Sequence, residues 1–172
     1  YEWFIGKGSI RNKPKMVNNK SKPIDEIQKD QHEEIKFSEE QKKAIDIDSL
    51  TYLNLSENNL KRVRFPSGSK ITYLELSDNK LKRIPRSMRK LKELKYLTIN
   101  DNQVKRIPRF IHRLDNLESI EINFNKVKFN DKAASRLSKI KILVIAGNDI
   151  DELPSNIDIM VNAVTLNFSK NN

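Results

Sequence analysis

The 172 residues include no cysteine, two histidines, four glycines and one tryptophan. No apolar run is long enough to span a bilayer. Each scarcity closes a class of function. Without a thiol there is no cysteine nucleophile, no zinc–thiolate site and no disulfide. His32 and His112 have no spaced partner that would complete a metal site or a serine triad. Four glycines leave little material for a glycine-rich phosphate loop. No cofactor and no metal are expected, and the chain reads as a non-enzyme.

Charge is abundant but unevenly placed. Thirty-three Lys and Arg oppose 23 Asp and Glu, giving a net charge of +10 and a pI near 9.7. Residues 1–23 hold Lys7, Arg11, Lys13, Lys15, Lys20 and Lys22 against Glu2 alone, with no hydrophobic period. They read as an extended basic arm that is disordered unless bound, with an apolar head at Trp3, Phe4 and Ile5. Residues 24–49 are acidic. A helix is expected between Asp25 and Ile35, and Ser38 with Gln41 resembles a capping box. That segment would act as an N-terminal helical cap, closing the open apolar end of the residues C-terminal to it.

Residues 50–172 form a repeat. Asn58, Asn79, Asn102, Asn125, Asn148 and Asn171 are spaced by 21 residues once and then by 23 four times. Each of the first five sits in the frame L-x-x-L-x-L-x-x-N-x-L, as in Leu50, Leu53, Leu55, Asn58 and Leu60. The alternation of apolar residues predicts a short strand. One such strand cannot bury its apolar side alone, so stacked copies are required to make a parallel sheet and one core. The asparagine amide offers two donors and an acceptor where the chain leaves the strand. Stacked, the six are expected to form a structural ladder that satisfies backbone groups of neighbouring repeats.

Three units also share a second half: Ile84-Pro85, Ile107-Pro108 and Leu153-Pro154, each leading into a short apolar pattern. Proline suits entry to a helical turn on the outer face. The first unit instead runs through Pro66 and Gly68 as a loop. The fourth offers Asn130 or Asp131 as the cap of a true helix. The last unit stops before the apolar residue that would close it, so a partner or further chain is expected over its strand.

These motifs resemble the typical, 23-residue class of intracellular leucine-rich repeats, with an L-P-x-x-I form shared by Ras-suppressor proteins and Ras-group-related repeat proteins. The resemblance implies an α/β solenoid of about six repeats. A parallel sheet would line its concave face, and short helical or 3-10 turns its convex face. It also implies binding of protein partners on the concave side. Secreted relatives usually carry disulfide-bonded caps. Their absence here favours an intracellular, reducing compartment, either cytoplasm or mitochondrial matrix.

Third, fifth and eighth positions of the motif point away from the core. They supply Tyr52, Tyr73 and Tyr96 beside Glu75, Asp78, Asp101 and Glu121, and then Phe124 and Ile142. Tyrosine combines rigid apolar area with a polar tip and is enriched at interfaces. This row is the candidate protein-binding face. A second row, Arg62, Lys82, Arg83, Arg86, Lys105, Arg106, Arg109 and Arg113, recurs along one flank and is a candidate phosphate-binding stripe. The expected function is a noncatalytic scaffold that grips a protein on its tyrosine and acidic face. The alternative is an RNA-associated subunit of a ribonucleoprotein assembly, held by the flank and the arm. In either case the arm and the C-terminal strand are expected to be covered by the assembly.

Overall fold

The computed structural model describes the backbone of Phe4–Gly6 and residues 50–172 in full. Six parallel strands recur at the third to fifth motif positions: β2 Tyr52–Asn54, β3 Tyr73–Glu75, β4 Tyr96–Thr98, β5 Ser119–Glu121, β6 Ile142–Val144 and β7 Thr165–Asn167. Neighbours pair in register, so equivalent residues stand side by side, as with Tyr52, Tyr73 and Tyr96. This is a leucine-rich-repeat solenoid, in which the chain returns from each strand on the opposite face.

The sheet has a seventh member. Phe4–Gly6 forms β1 and pairs antiparallel with β2, Ile5 opposite Leu53. The sequence predicts a basic arm that orders only on another molecule. Three of its residues instead lie on this chain's own first strand. The physical reason is that an unpaired strand edge presents a row of free backbone groups. The rest of the arm and the helical cap expected over residues 24–49 lie outside the described residues.

The core fills the space between sheet and return path. Position-four residues Leu53, Leu74, Leu97, Ile120 and Leu143 pack with position-six residues Leu55, Leu76, Ile99, Ile122 and Ile145, all essentially without solvent contact. The return path adds Ile84, Met88, Leu91, Ile107, Ile111, Leu114 and Leu137. Pro85 and Pro108 each precede a 3-10 turn, Arg86–Lys90 and Arg109–Arg113. The fourth unit carries the one α-helix among the described residues, α1 at Asp131–Arg136. Asn130 caps it, accepting from the Ala133 amide at 3.2 Å. After Pro154 the turn starts later and is shorter, Ile157–Ile159. Here the Asp131 carboxylate takes up both the amide and the hydroxyl of Ser155, at 2.8 and 3.0 Å, and holds the chain before it can turn. At the far end Val161 and Val164 are each 82% exposed, and β7 is exposed throughout.

The asparagines tie these units together. Each Nδ2 from Asn79 onward donates to the position-six carbonyl of the preceding repeat: Asn79 to Leu55, Asn102 to Leu76, Asn125 to Ile99, Asn148 to Ile122 and Asn171 to Ile145, all at 2.8–3.1 Å. Each Oδ1 from Asn79 to Asn148 accepts the amide two residues past the preceding asparagine, namely Leu60, Leu81, Val104 and Val127. Asn171 takes the amide of Asn148 instead. Asn58, whose Nδ2 reaches Leu55 and Ser56, serves its own turn.

To aim the asparagine inward, the residue before it turns left-handed. Glu57, Asp78, Asp101, Phe124, Gly147 and Lys170 all have φ between 50° and 61°. A left-handed conformation costs a non-glycine residue roughly 1–2 kcal/mol. The same conformation at six positions holding five residue types assigns that cost to the turn itself. Asn102→Leu removes the acceptor for the Leu81 amide and a donor to the Leu76 and Asn100 carbonyls. Each buried group left unpaired costs about 1–3 kcal/mol. The urea midpoint is therefore expected to fall sharply. An unchanged midpoint would contradict the bonding described.

Candidate functional site

The third, fifth and eighth positions of the six repeats bring 18 residues onto the face of the sheet turned away from the core. Five of them are acidic, Glu57, Glu75, Asp78, Asp101 and Glu121, and one is basic, Lys170. In a chain with ten more cations than anions, this face has the opposite sign to the molecule as a whole.

Because the strands are in register, like side chains form columns. Tyr52 stacks on Tyr73 with ring centroids 4.9 Å apart and planes at 29°, and Tyr73 meets Tyr96 at 6.1 Å and 33°. Offset ring pairs at such spacing gain about 0.5–1.5 kcal/mol beyond their burial. The Tyr73 hydroxyl lies 3.4 Å from that of Thr98. Tyr52 and Tyr73 are half-buried, while Tyr96 is 41% exposed and leaves its ring open. Burial, then the neighbouring Tyr73 and Glu75, push the Tyr52 hydroxyl above its ordinary range. The column ends at Ser119, which is buried.

Beside the rings run the carboxylates. Glu75 is half-buried, and one of its oxygens accepts the Ser77 amide at 2.9 Å. Asn54 and Asn167 make the same bond to the amides of Ser56 and Ser169. Glu75 is therefore partly a turn residue. Burial raises its carboxyl above the ordinary range against the opposing hydrogen bonds from Ser77, and Glu121 adds to the rise. Asp101 is exposed, yet what desolvation its carboxyl suffers, and then the charge of Asp78, raise it too. The ion pairs Lys139–Asp115 and Lys141–Glu118 are both solvent-exposed and involve none of these carboxylates.

The other end of the face is apolar. Phe124 is 48% exposed and Ile142 36%. The Phe124 ring lies over Gly147, where an added Cβ would stand 2.6 Å from Cδ1, so only glycine admits the ring. The Lys170 ammonium sits 5.4 Å from the ring centroid, a cation–π distance. Nothing in the hydrophobic pattern marks this stack. Its one visible signal is a glycine in a slot otherwise filled by larger residues.

A second polar row also escapes the sequence reading. The Asn100 amide donates to Ser77 Oγ at 3.0 Å, the Asn123 amide to Asn100 Oδ1 at 2.7 Å, and the Ala146 amide to Asn123 Oδ1 at 2.8 Å. These seventh-position residues fix the spacing of the columns. On the flank, Arg62, Lys82, Arg83, Arg86, Lys105, Arg106, Arg109 and Arg113 are all exposed. Among the described residues, no group of His, Asp and Glu is placed to hold a metal ion, and no helix is long and apolar enough to cross a membrane.

The strand order and the repeating asparagine frame define a leucine-rich-repeat fold. A family model described as a leucine-rich repeat matches residues 49–104. A solved leucine-rich-repeat protein of Leptospira interrogans is 32% identical, with a TM-score of 0.62, over 72% of this chain. The match covers 32% of that protein, so this chain spans about a third of its length. An internalin C2 of Listeria monocytogenes is 23% identical with a TM-score of 0.46, covering 73% of this chain and 74% of the other. No curated protein matches the chain.

The raised carboxyl of Glu75 sets a stability test. A folded-state value above the unfolded one means that the folded protein holds its proton more tightly. Stability from this group is then present at low pH and lost as pH rises through the folded value. Glu75→Gln keeps the oxygen that accepts from Ser77 and removes the charge. It is expected to melt higher than the parent at pH 7, with the difference closing well below the ordinary value of 4.5. An equal or lower melting temperature at pH 7 would contradict the burial penalty.

Proposed function

We propose that the chain is a noncatalytic interaction module whose sheet face grips a basic segment of a protein partner. The observation that carries this reading is the set of five carboxylates on that face, none ion-paired with a described cation although Lys and Arg abound elsewhere. Charges held near one another without counterions cost stability, and such costs are retained where they serve a contact. The tyrosine column beside them offers rigid apolar area for the stems of lysine or arginine side chains. Phe124 and Ile142 offer an anchor for an apolar residue at the other end. The face is open, with no acid–base pair set around a cleft, which favours binding over catalysis. The 23-residue spacing supports placement beside the intracellular Ras-suppressor type of repeat, and the lack of cysteine supports a reducing compartment.

The test is a calorimetric titration with a peptide alternating Lys and Tyr, compared with a Glu and Tyr peptide of equal length. The basic peptide is expected to bind and the acidic one to fail. Tyr73→Ala with Tyr96→Ala is expected to weaken binding at least tenfold while the circular dichroism spectrum is kept. Equal binding of both peptides, or full retention by the double variant, would move the interface off this face.

A further inference from the structure

The fourth repeat breaks the pattern of its neighbours, and the break leaves a groove. Where the second and third repeats make narrow 3-10 turns, the fourth makes the wider helix α1. Between the turn Arg109–Arg113 and α1 lies a shallow cavity of about 300 Å³, lined by Arg109, His112, Asp131, Lys132, Ser135 and Arg136. Three permanent cations face one carboxylate there, a formal charge of +2 with His112 neutral.

The groups are not free to scatter. Arg136 Nη1 donates to the Ile107 carbonyl at 2.6 Å, which fixes the half-buried guanidinium beside the groove and leaves its other N–H groups unspent. His112 Nδ1 bonds to the Arg109 carbonyl; a carbonyl only accepts, so Nδ1 carries the proton, and Nε2, an acceptor in the neutral ring, offers a phosphate no donor, leaving recognition to the cations. Asp131 spends both oxygens on Ser155. Its charge is thereby held at one end of the groove, turned toward the next repeat. The stems of the arginines and Lys132 supply apolar walls.

We propose that this groove binds a single phosphomonoester, carried on a phosphorylated serine or threonine of a protein. A guanidinium fork matches phosphate oxygens in number and direction. The short length of the groove and the carboxylate closing one end suit one isolated dianion, whereas a nucleic-acid strand needs a continuous cationic track. The site is on the face opposite the sheet and stands whether or not the sheet face binds a basic segment.

The experiment uses the full chain and fluorescence anisotropy with a labelled phosphoserine peptide, its unphosphorylated twin, and a single-stranded RNA of similar length. The phosphopeptide is expected to bind at least tenfold tighter than its twin. Arg109→Gln with Lys132→Gln is expected to abolish that difference. Lys70→Gln with Lys80→Gln, the same charge change on the first two repeats, is expected to leave it intact. Equal binding of the two peptides would overturn the proposal, as would equal losses in both double variants, which mark unspecific attraction to a basic protein. RNA binding tighter than the phosphopeptide and lost in the first variant would also overturn it, by assigning the groove to nucleic acid.

Discussion

A strand of three residues ends before its carbonyls are used, and those carbonyls lie in the core. The rest of the structure depends on supplying them with donors. Asparagine does so from one repeat to the next: Asn102 Nδ2 reaches back to Leu76, and Asn102 Oδ1 receives the Leu81 amide. The bonds can close only if successive repeats are in register and a strand spacing apart. Register, sheet and columns of side chains are thus consequences of one polar constraint. The apolar core supplies most of the driving force. The asparagines decide how it is arranged, since a buried polar group left unpaired would cost more than its pairing contributes.

Register then acts on the face of the sheet turned away from the core. Stacking the third positions puts Tyr52 on Tyr73 and Tyr73 on Tyr96, while the fifth and eighth bring carboxylates near each other. A solenoid repeats both its assets and its penalties: a column of tyrosines is a continuous apolar strip, and a column of acids is a continuous repulsion. The strip and the repulsion share the first repeats, and Phe124 over Gly147 takes over where they end. A segment binding along this face would meet acid and ring first and an apolar floor later.

Much of the fold is legible in the sequence because its causes are local and periodic. The spacing of asparagines gives the repeat. Pro85 and Pro108 give the return turns, and Asn130 gives the cap of α1. The features that escape such a reading lack either a period or a fixed residue type. The pairing of Phe4–Gly6 with β2 joins segments far apart in the chain. The Ser77, Asn100 and Asn123 row uses two residue types in one slot. The left-handed eighth position is filled by Glu, Asp, Phe, Gly and Lys, so composition cannot reveal it. The groove beside α1 arises from a mismatch between two kinds of turn. The members of the sheet face can be named from motif position alone. The commitment of Glu75 to Ser77 and the ring over Gly147 need coordinates.

The central claim is that the sheet face keeps its acidic groups without counterions so that a basic partner can supply them. Titration of the side-chain carboxyls of Glu75 and Asp101 by nuclear magnetic resonance, with and without the Lys and Tyr peptide, addresses it directly. Both carboxyls are expected to titrate above the ordinary range in the free protein and to fall when the peptide binds, because a nearby cation favours the charged form. Titration within the ordinary range in the free protein, or values unmoved by saturating peptide, would contradict the account.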